Sequence, residues 1–231
     1  MKIEIWSDFA CPFCYIGKTR FENALKKFAH KDKIEVIYKS FILDPHAPLK
    51  TSKSAIEELA LSKGIELKKA EAMYENVARM AKTEGLSYNL DKIQATSTND
   101  AHRLLKWAYE NNKGKELTEK LFEGYFTLGL NIADHETLIN IIKKLDLNID
   151  QAKEILATNS YEQAVQLDLK EAYDLGITSV PTFVIDRKYG ISGAQKEGYF
   201  LEMIKTAYDE LYPKNLKMVK EDLSCTADEC K

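Results

Sequence analysis

Two cysteines separated by two residues, Cys11-Pro12-Phe13-Cys14, are the side chains of this sequence best suited to chemistry. A pair at that spacing can make and break a disulfide, supply half of a zinc site, or fill a core as two small apolar residues. The surroundings favour redox. The pair follows a short alternating run, Lys2-Ile3-Glu4-Ile5-Trp6, that reads as a strand. It precedes apolar residues at helical spacing, Ile16, Phe21, Ala24, Leu25 and Phe28. Cys11 therefore falls at a helix N-terminus and is expected to be exposed there. Unpaired backbone amides and the helix dipole favour negative charge at that point, and so a thiolate nucleophile. Pro12 suits the first turn because it has no N–H to leave unsatisfied. Cys14, less than one turn further on, is within reach to close a disulfide with Cys11. The other two of the four cysteines, Cys225 and Cys230, lie in the last seven residues, so a four-sulfur zinc site built from both pairs stays open.

The elements that must position this pair can be read along the chain. A second strand is expected over Lys33–Phe41, then Asp44-Pro45-His46-Ala47-Pro48 breaks regular structure. Helical periodicity follows at Ser54–Ser62, Lys68–Lys82 and Asn99–Asn112, with Gly64, Gly85 and Gly114 read as stops. Further helices are expected at Glu116–Leu128, His135–Leu145, Ile149–Leu156 and Tyr161–Leu175. Asp134 is a candidate N-cap, and Ser160 with Gln163 has the spacing of a capping box. Strand character returns at Thr182–Asp186 and Tyr189–Ser192, and a last helix covers Glu197–Tyr212. Strands at both ends and helices between them predict one α/β unit, residues 1–45 and 160–231, split by an all-helical insertion over 46–159. Val180-Pro181 precedes the third strand. A cis bond there would leave an accessible backbone edge beside the cysteines for an extended substrate.

Composition narrows the function classes. Of 231 residues, 33 are basic and 36 acidic, a net charge of −3 that offers no basic face for nucleic acid. No apolar run approaches the roughly 18 residues needed to span a bilayer. Acidic residues at positions 4 and 8 fall where a signal peptide would be apolar. A cytoplasmic protein with no membrane partner is expected, where such a dithiol is catalytic or metal-bound rather than a permanent staple.

Cys11-Pro12-Phe13-Cys14 together with Val180-Pro181-Thr182-Phe183 resembles the thioredoxin-fold oxidoreductases, and the helical insertion narrows the resemblance to the DsbA family. Three separated motifs, Ser7 to Gly17, Asp100-Ala101-His102-Arg103-Leu104 and Ile191-Ser192-Gly193-Ala194-Gln195, resemble its cytoplasmic FrnE-like branch, the polyketide-biosynthesis dithiol-disulfide isomerases. The branch commonly carries tryptophan at the position of Phe13, and periplasmic members carry histidine, so a histidine donor to the thiolate is missing here.

The resemblance implies an α/β thioredoxin fold and thiol–disulfide exchange on protein or small-molecule disulfides. Cys11 attacks, Cys14 resolves, and Val180 and Pro181 orient the substrate. Pro12 and Phe13 form the intervening dipeptide. His102 and Asp8 are auxiliary candidates, and Cys225 with Cys230 form a second redox pair. No metal and no cofactor beyond the redox-active disulfide is implied, with glutathione or another cellular thiol as reductant. Two alternatives stand beside this reading. One is a glutathione-dependent isomerase or transferase of the kappa-like branch, whose members typically keep a single serine at the position of Cys11. The other is the zinc-held interaction module.

Overall fold

In the computed structural model, which describes residues 1–213, β1 (Lys2–Ser7) runs through the middle of a four-stranded sheet. It pairs in parallel with β2 (Glu35–Ser40) and antiparallel with β3 (Thr182–Ile185), which in turn pairs antiparallel with β4 (Tyr189–Ser192). A parallel pair needs a crossover, and α1 (Pro12–Lys26) supplies it. Ile3 and Ile5 face the same side as their partners Ile185 and Phe183, under α1 and α9 (Glu197–Leu211). Phe21, Phe183 and Phe200 close that layer, with ring centroids 4.6 to 5.7 Å apart. Trp6 and Val184 point to the other side, where Ala172 of α8 (Glu162–Asp174) covers them. The Trp6 indole N–H donates to the Asp168 carbonyl at 3.0 Å and pins α8 to the sheet.

Between β2 and β3 the chain forms α2 (Ala55–Lys63), α3 (Leu67–Thr83), α4 (Asn99–Glu110), α5 (Gly114–Phe122), α6 (His135–Lys143), α7 (Ile149–Ala157) and then α8. One apolar core runs from the sheet through Tyr15 into Leu104, Phe122 and Phe126. Beside it, Lys18 of α1 is buried and ion-paired with Glu119 of α5, and the Tyr15 hydroxyl donates to Glu119 at 2.7 Å. Burial pushes the Glu119 carboxyl up, but Lys18 and Tyr15 outweigh it and hold the group below the usual carboxylate range.

Most expected elements form, and three local expectations are corrected. Gly114 does not stop a helix but opens α5, because a Cβ there would lie 2.5 Å from the Tyr109 ring. The helix expected to run to Leu128 widens after Phe122 into a π-helical turn, Glu123–Thr127. Ser160 makes no capping box. Tyr161, at φ +65°, takes the cap position of α8, while Ser160 gives its carbonyl to Arg103 at 2.9 Å and its hydroxyl to Thr158. The same guanidinium also reaches the carbonyls of Ile155 and Thr158, and that convergence fixes the turn. Asp134 caps α6 as expected, accepting from the Thr137 amide at 2.9 Å. Among the described residues no helix is long and apolar enough to cross a membrane.

Candidate active site

β1 ends at Ser7, and a tight turn delivers Cys11 to the N-cap position of α1. The Cys11 amide donates to the Asp8 carbonyl at 3.1 Å, and the Cys14 amide donates to the Cys11 carbonyl at 3.0 Å. Pro12 occupies the first helical turn, as its missing donor allows. The Asp8 side chain organises the turn, accepting from the amides of Ala10 at 3.2 Å and Leu43 at 2.7 Å. Both cysteines are free thiols.

Opposite the helix start stands the loop before β3. The Val180–Pro181 peptide bond is cis, and the Cys11 thiol donates to the Val180 carbonyl at 3.5 Å. The Pro181 carbonyl is held by the Gly193 amide at 2.8 Å, in a turn whose φ of +80° suits glycine. The two halves meet at Gly17, where a Cβ would lie 2.9 Å from Pro181 Cγ. A glycine inside a helical pattern is itself a sequence signal of close packing.

Cys11 is not exposed as expected. It keeps 4% of its surface and Cys14 keeps 1%, whereas Phe13 between them keeps 40%. Val180 faces the sulfur on one side, and residues of the helical segment approach from the other. The Tyr88 hydroxyl donates to the Pro12 carbonyl at 2.7 Å. Burial pushes the Tyr74 phenol up to about 12, with Cys11 charge adding to it, and burial likewise raises Tyr88. The sequence offers Tyr74 only as part of the apolar helical pattern over Lys68–Lys82, and no pattern in it marks Tyr88. Burial also drives the Cys14 thiol well above its ordinary value, reinforced by neighbouring Cys11, while the Ser7 hydroxyl and the Asp8 backbone pull weakly the other way. The deeper sulfur is therefore kept protonated at neutral pH.

His102 of α4 completes the group. Its ring lies 4.7 Å from that of Phe9, its Nε2 is 3.6 Å from Asp8 Oδ1, and both residues are 1% exposed. The structure thus brings Asp8, Cys11, Pro12, Phe13, Cys14, His102, Val180 and Pro181 to one place. Cys225 and Cys230 lie outside the described residues, and with them the second redox pair and the four-sulfur zinc alternative. Among the described residues, no three of the His, Cys, Asp and Glu side chains are grouped to hold an ion.

A dithiol at a helix start, facing the carbonyl before a cis-proline, is the arrangement the sequence comparison explains. Residues 2–205 match the DSBA-like thioredoxin domain. The chain belongs to that family. Its fold is the DsbA-like thioredoxin fold with a long helical segment between β2 and β3. A probable DsbA oxidoreductase from Streptomyces coelicolor is 37% identical, superposes with a TM-score of 0.85, and the match covers 94% of this chain and 93% of that one. The uncharacterized protein YwbO of Bacillus subtilis (strain 168) is 30% identical over 185 residues, 79% of this chain and 86% of that protein. The cytosolic disulfide reductase DsbM of Pseudomonas aeruginosa, solved also with GSH, shares the fold at 13% identity. Its TM-score is 0.65, over 91% of this chain and 100% of that one.

Proposed function

We propose that this DsbA-family protein is a cytoplasmic thiol–disulfide oxidoreductase or isomerase of the FrnE-like branch, working through Cys11 and Cys14. The observation that carries the reading is the buried dithiol whose outer sulfur faces the Val180 carbonyl, beside cis-Pro181. An extended substrate pairs with the backbone of that loop, which brings its disulfide over Cys11. Cys11, as thiolate, attacks one substrate sulfur, forming a mixed disulfide and expelling the other sulfur as a thiolate. Cys14 then loses its proton and attacks Cys11, releasing the reduced substrate and leaving the Cys11–Cys14 disulfide. A cellular thiol, glutathione among them, reverses the cycle. The GSH-bound structure of DsbM, whose fold this chain shares, supports a small-thiol partner. Phe13, exposed beside the sulfurs, offers apolar contact to the incoming chain.

The test is insulin reduction with dithiothreitol or glutathione as electron source. Cys11→Ser is expected to abolish turnover, and Cys14→Ser to accumulate a mixed disulfide on Cys11. Full activity in Cys11→Ser would refute the assignment.

A further inference from the structure

The exchange just proposed leaves one proton unaccounted for. Cys14 must shed it before it can attack, yet Cys14 is sealed from solvent and its thiol is driven upward by burial. An internal acceptor is needed.

Helix α4 brings one to the spot. Packed against α5, α7 and α8, it sends side chains from successive turns toward the sheet. Tyr109 accepts from the Tyr38 amide at 2.7 Å, and Lys106, one turn earlier, pairs with Asp168, which accepts from the Ser40 amide at 2.6 Å. One turn earlier again, His102 arrives at Asp8, beyond the ends of β1 and β2. Ser7 and Ser40 are cross-strand partners at those ends, and among the described residues neither buried hydroxyl has a hydrogen-bond partner. Among the described residues neither ring nitrogen of His102 has a hydrogen-bond partner either, although the side chain is 99% buried. A buried imidazole normally has a partner for at least one nitrogen, and leaving both unpartnered costs stability.

We infer that His102 is the proton acceptor for Cys14, with the Asp8 carboxylate holding the imidazolium that results. The claim rests on the dithiol reading above. In the resolving step the Cys14 S–H bond breaks and its proton goes to His102. Cys14 Sγ bonds to Cys11 Sγ, and the Cys11–substrate S–S bond breaks with its electron pair leaving on the substrate sulfur. The two cysteines are oxidised by two electrons and the substrate disulfide is the oxidant. In the opposite direction His102 returns the proton as Cys14 leaves. The imidazolium would sit 3.6 Å from Asp8, whose charge among the described residues otherwise meets two backbone amides. The other ionisable neighbours are accounted for. Lys106 on the next turn is engaged by Asp168, and Tyr125 of the π-helical turn senses the Asp8 charge but is itself raised by burial.

Reduced protein mixed with one equivalent of dithiobis(nitrobenzoate) separates the steps, because the first coloured thiolate reports Cys11 attack and the second reports Cys14 attack. With His102→Gln, the second release is expected to slow by about a hundredfold, the scale of a lost general base. It should also gain a steeper rise with pH, with the first release within about twofold of wild type. Parallel slowing of both releases, or an unchanged second release, overturns the inference. Absence of the first release in the wild type would instead sink the dithiol reading itself.

Discussion

Two buried aspartates tie α4 to the sheet, one helical turn apart, and they are furnished in opposite ways. Asp168 has Lys39 at 2.9 Å, Lys106, and the Ser40 amide at 2.6 Å, and Lys39 is shared with Glu171. Asp8 has two backbone amides and an imidazole just beyond hydrogen-bonding distance. Around Asp168 every formal charge is matched. Around Asp8 the Ser7 hydroxyl and both His102 ring nitrogens are buried and, among the described residues, unmatched. A saturated network has one low-energy arrangement and acts as a bracket. An unsaturated one costs stability in the resting state and gains when a charge or proton arrives. The sites lie side by side, so the difference marks where stability was given up for chemistry.

Three measurements sharpen or break that contrast. The largest effect is expected from Asp168→Ala, which strands Lys106 in the interior and leaves Lys39 with Glu171 alone. A loss of about 3–5 kcal/mol in urea denaturation is expected, with disulfide exchange per folded molecule unchanged. If exchange fell while stability held, the two aspartates would have traded roles.

A smaller effect concerns alkaline pH, because the two lysines on Asp168 are displaced in opposite directions. Burial pushes Lys106 below the ordinary lysine value by more than Asp168 restores. Burial also opposes charge on Lys39, but Asp168 and Glu171 outweigh it and hold that group above the ordinary value. Native Lys106 therefore binds fewer protons than the unfolded chain just below about pH 10, so its contribution to stability rises with pH there. The contribution of Lys39 is full below that value and is lost as pH rises through its own, higher one. Relative to the wild type, Lys106→Met should lose ground as pH climbs toward about 10, and Lys39→Met should recover ground above it. Urea midpoints at stepped pH check this, and parallel slopes would remove the distinction.

The smallest effect belongs to Thr96, buried at 1% with its hydroxyl unpartnered. Thr96→Val keeps the shape and removes the unmatched group, so a gain of about 1 kcal/mol is expected. A loss of about 2 kcal/mol or more by the same denaturation assay would show that the hydroxyl is satisfied after all.

The strand-flanked cysteine pair, the four strands and the cis-proline loop were legible in the sequence, because each rests on local rules. Alternation marks a strand, proline in a first turn marks a helix start, and a proline before a strand marks a special peptide. Burial of Cys11 was not legible, since it depends on Val180 from 169 residues away, whose carbonyl accepts from its thiol. The Ser160 expectation failed for the same reason. Capping chemistry is local, but Arg103 claims the Ser160 carbonyl from another helix. Gly114 was read by its frequent use as a stop, whereas its use here is to admit the Tyr109 ring. His102 was singled out on the motif resemblance alone. That it would be sealed inside with both nitrogens unmatched required the placement of α4 against the sheet, which no run of residues within α4 encodes.

The hydroxyl of Tyr88 on the Pro12 carbonyl has a thermodynamic consequence. That carbonyl belongs to the peptide bridging the two sulfurs, so whichever oxidation state keeps the contact stronger is the state the fold prefers. A preference of that kind is a reduction potential in another guise. Under the proposed exchange, one phenol 76 residues further along the chain thereby enters the balance between giving electrons and taking them.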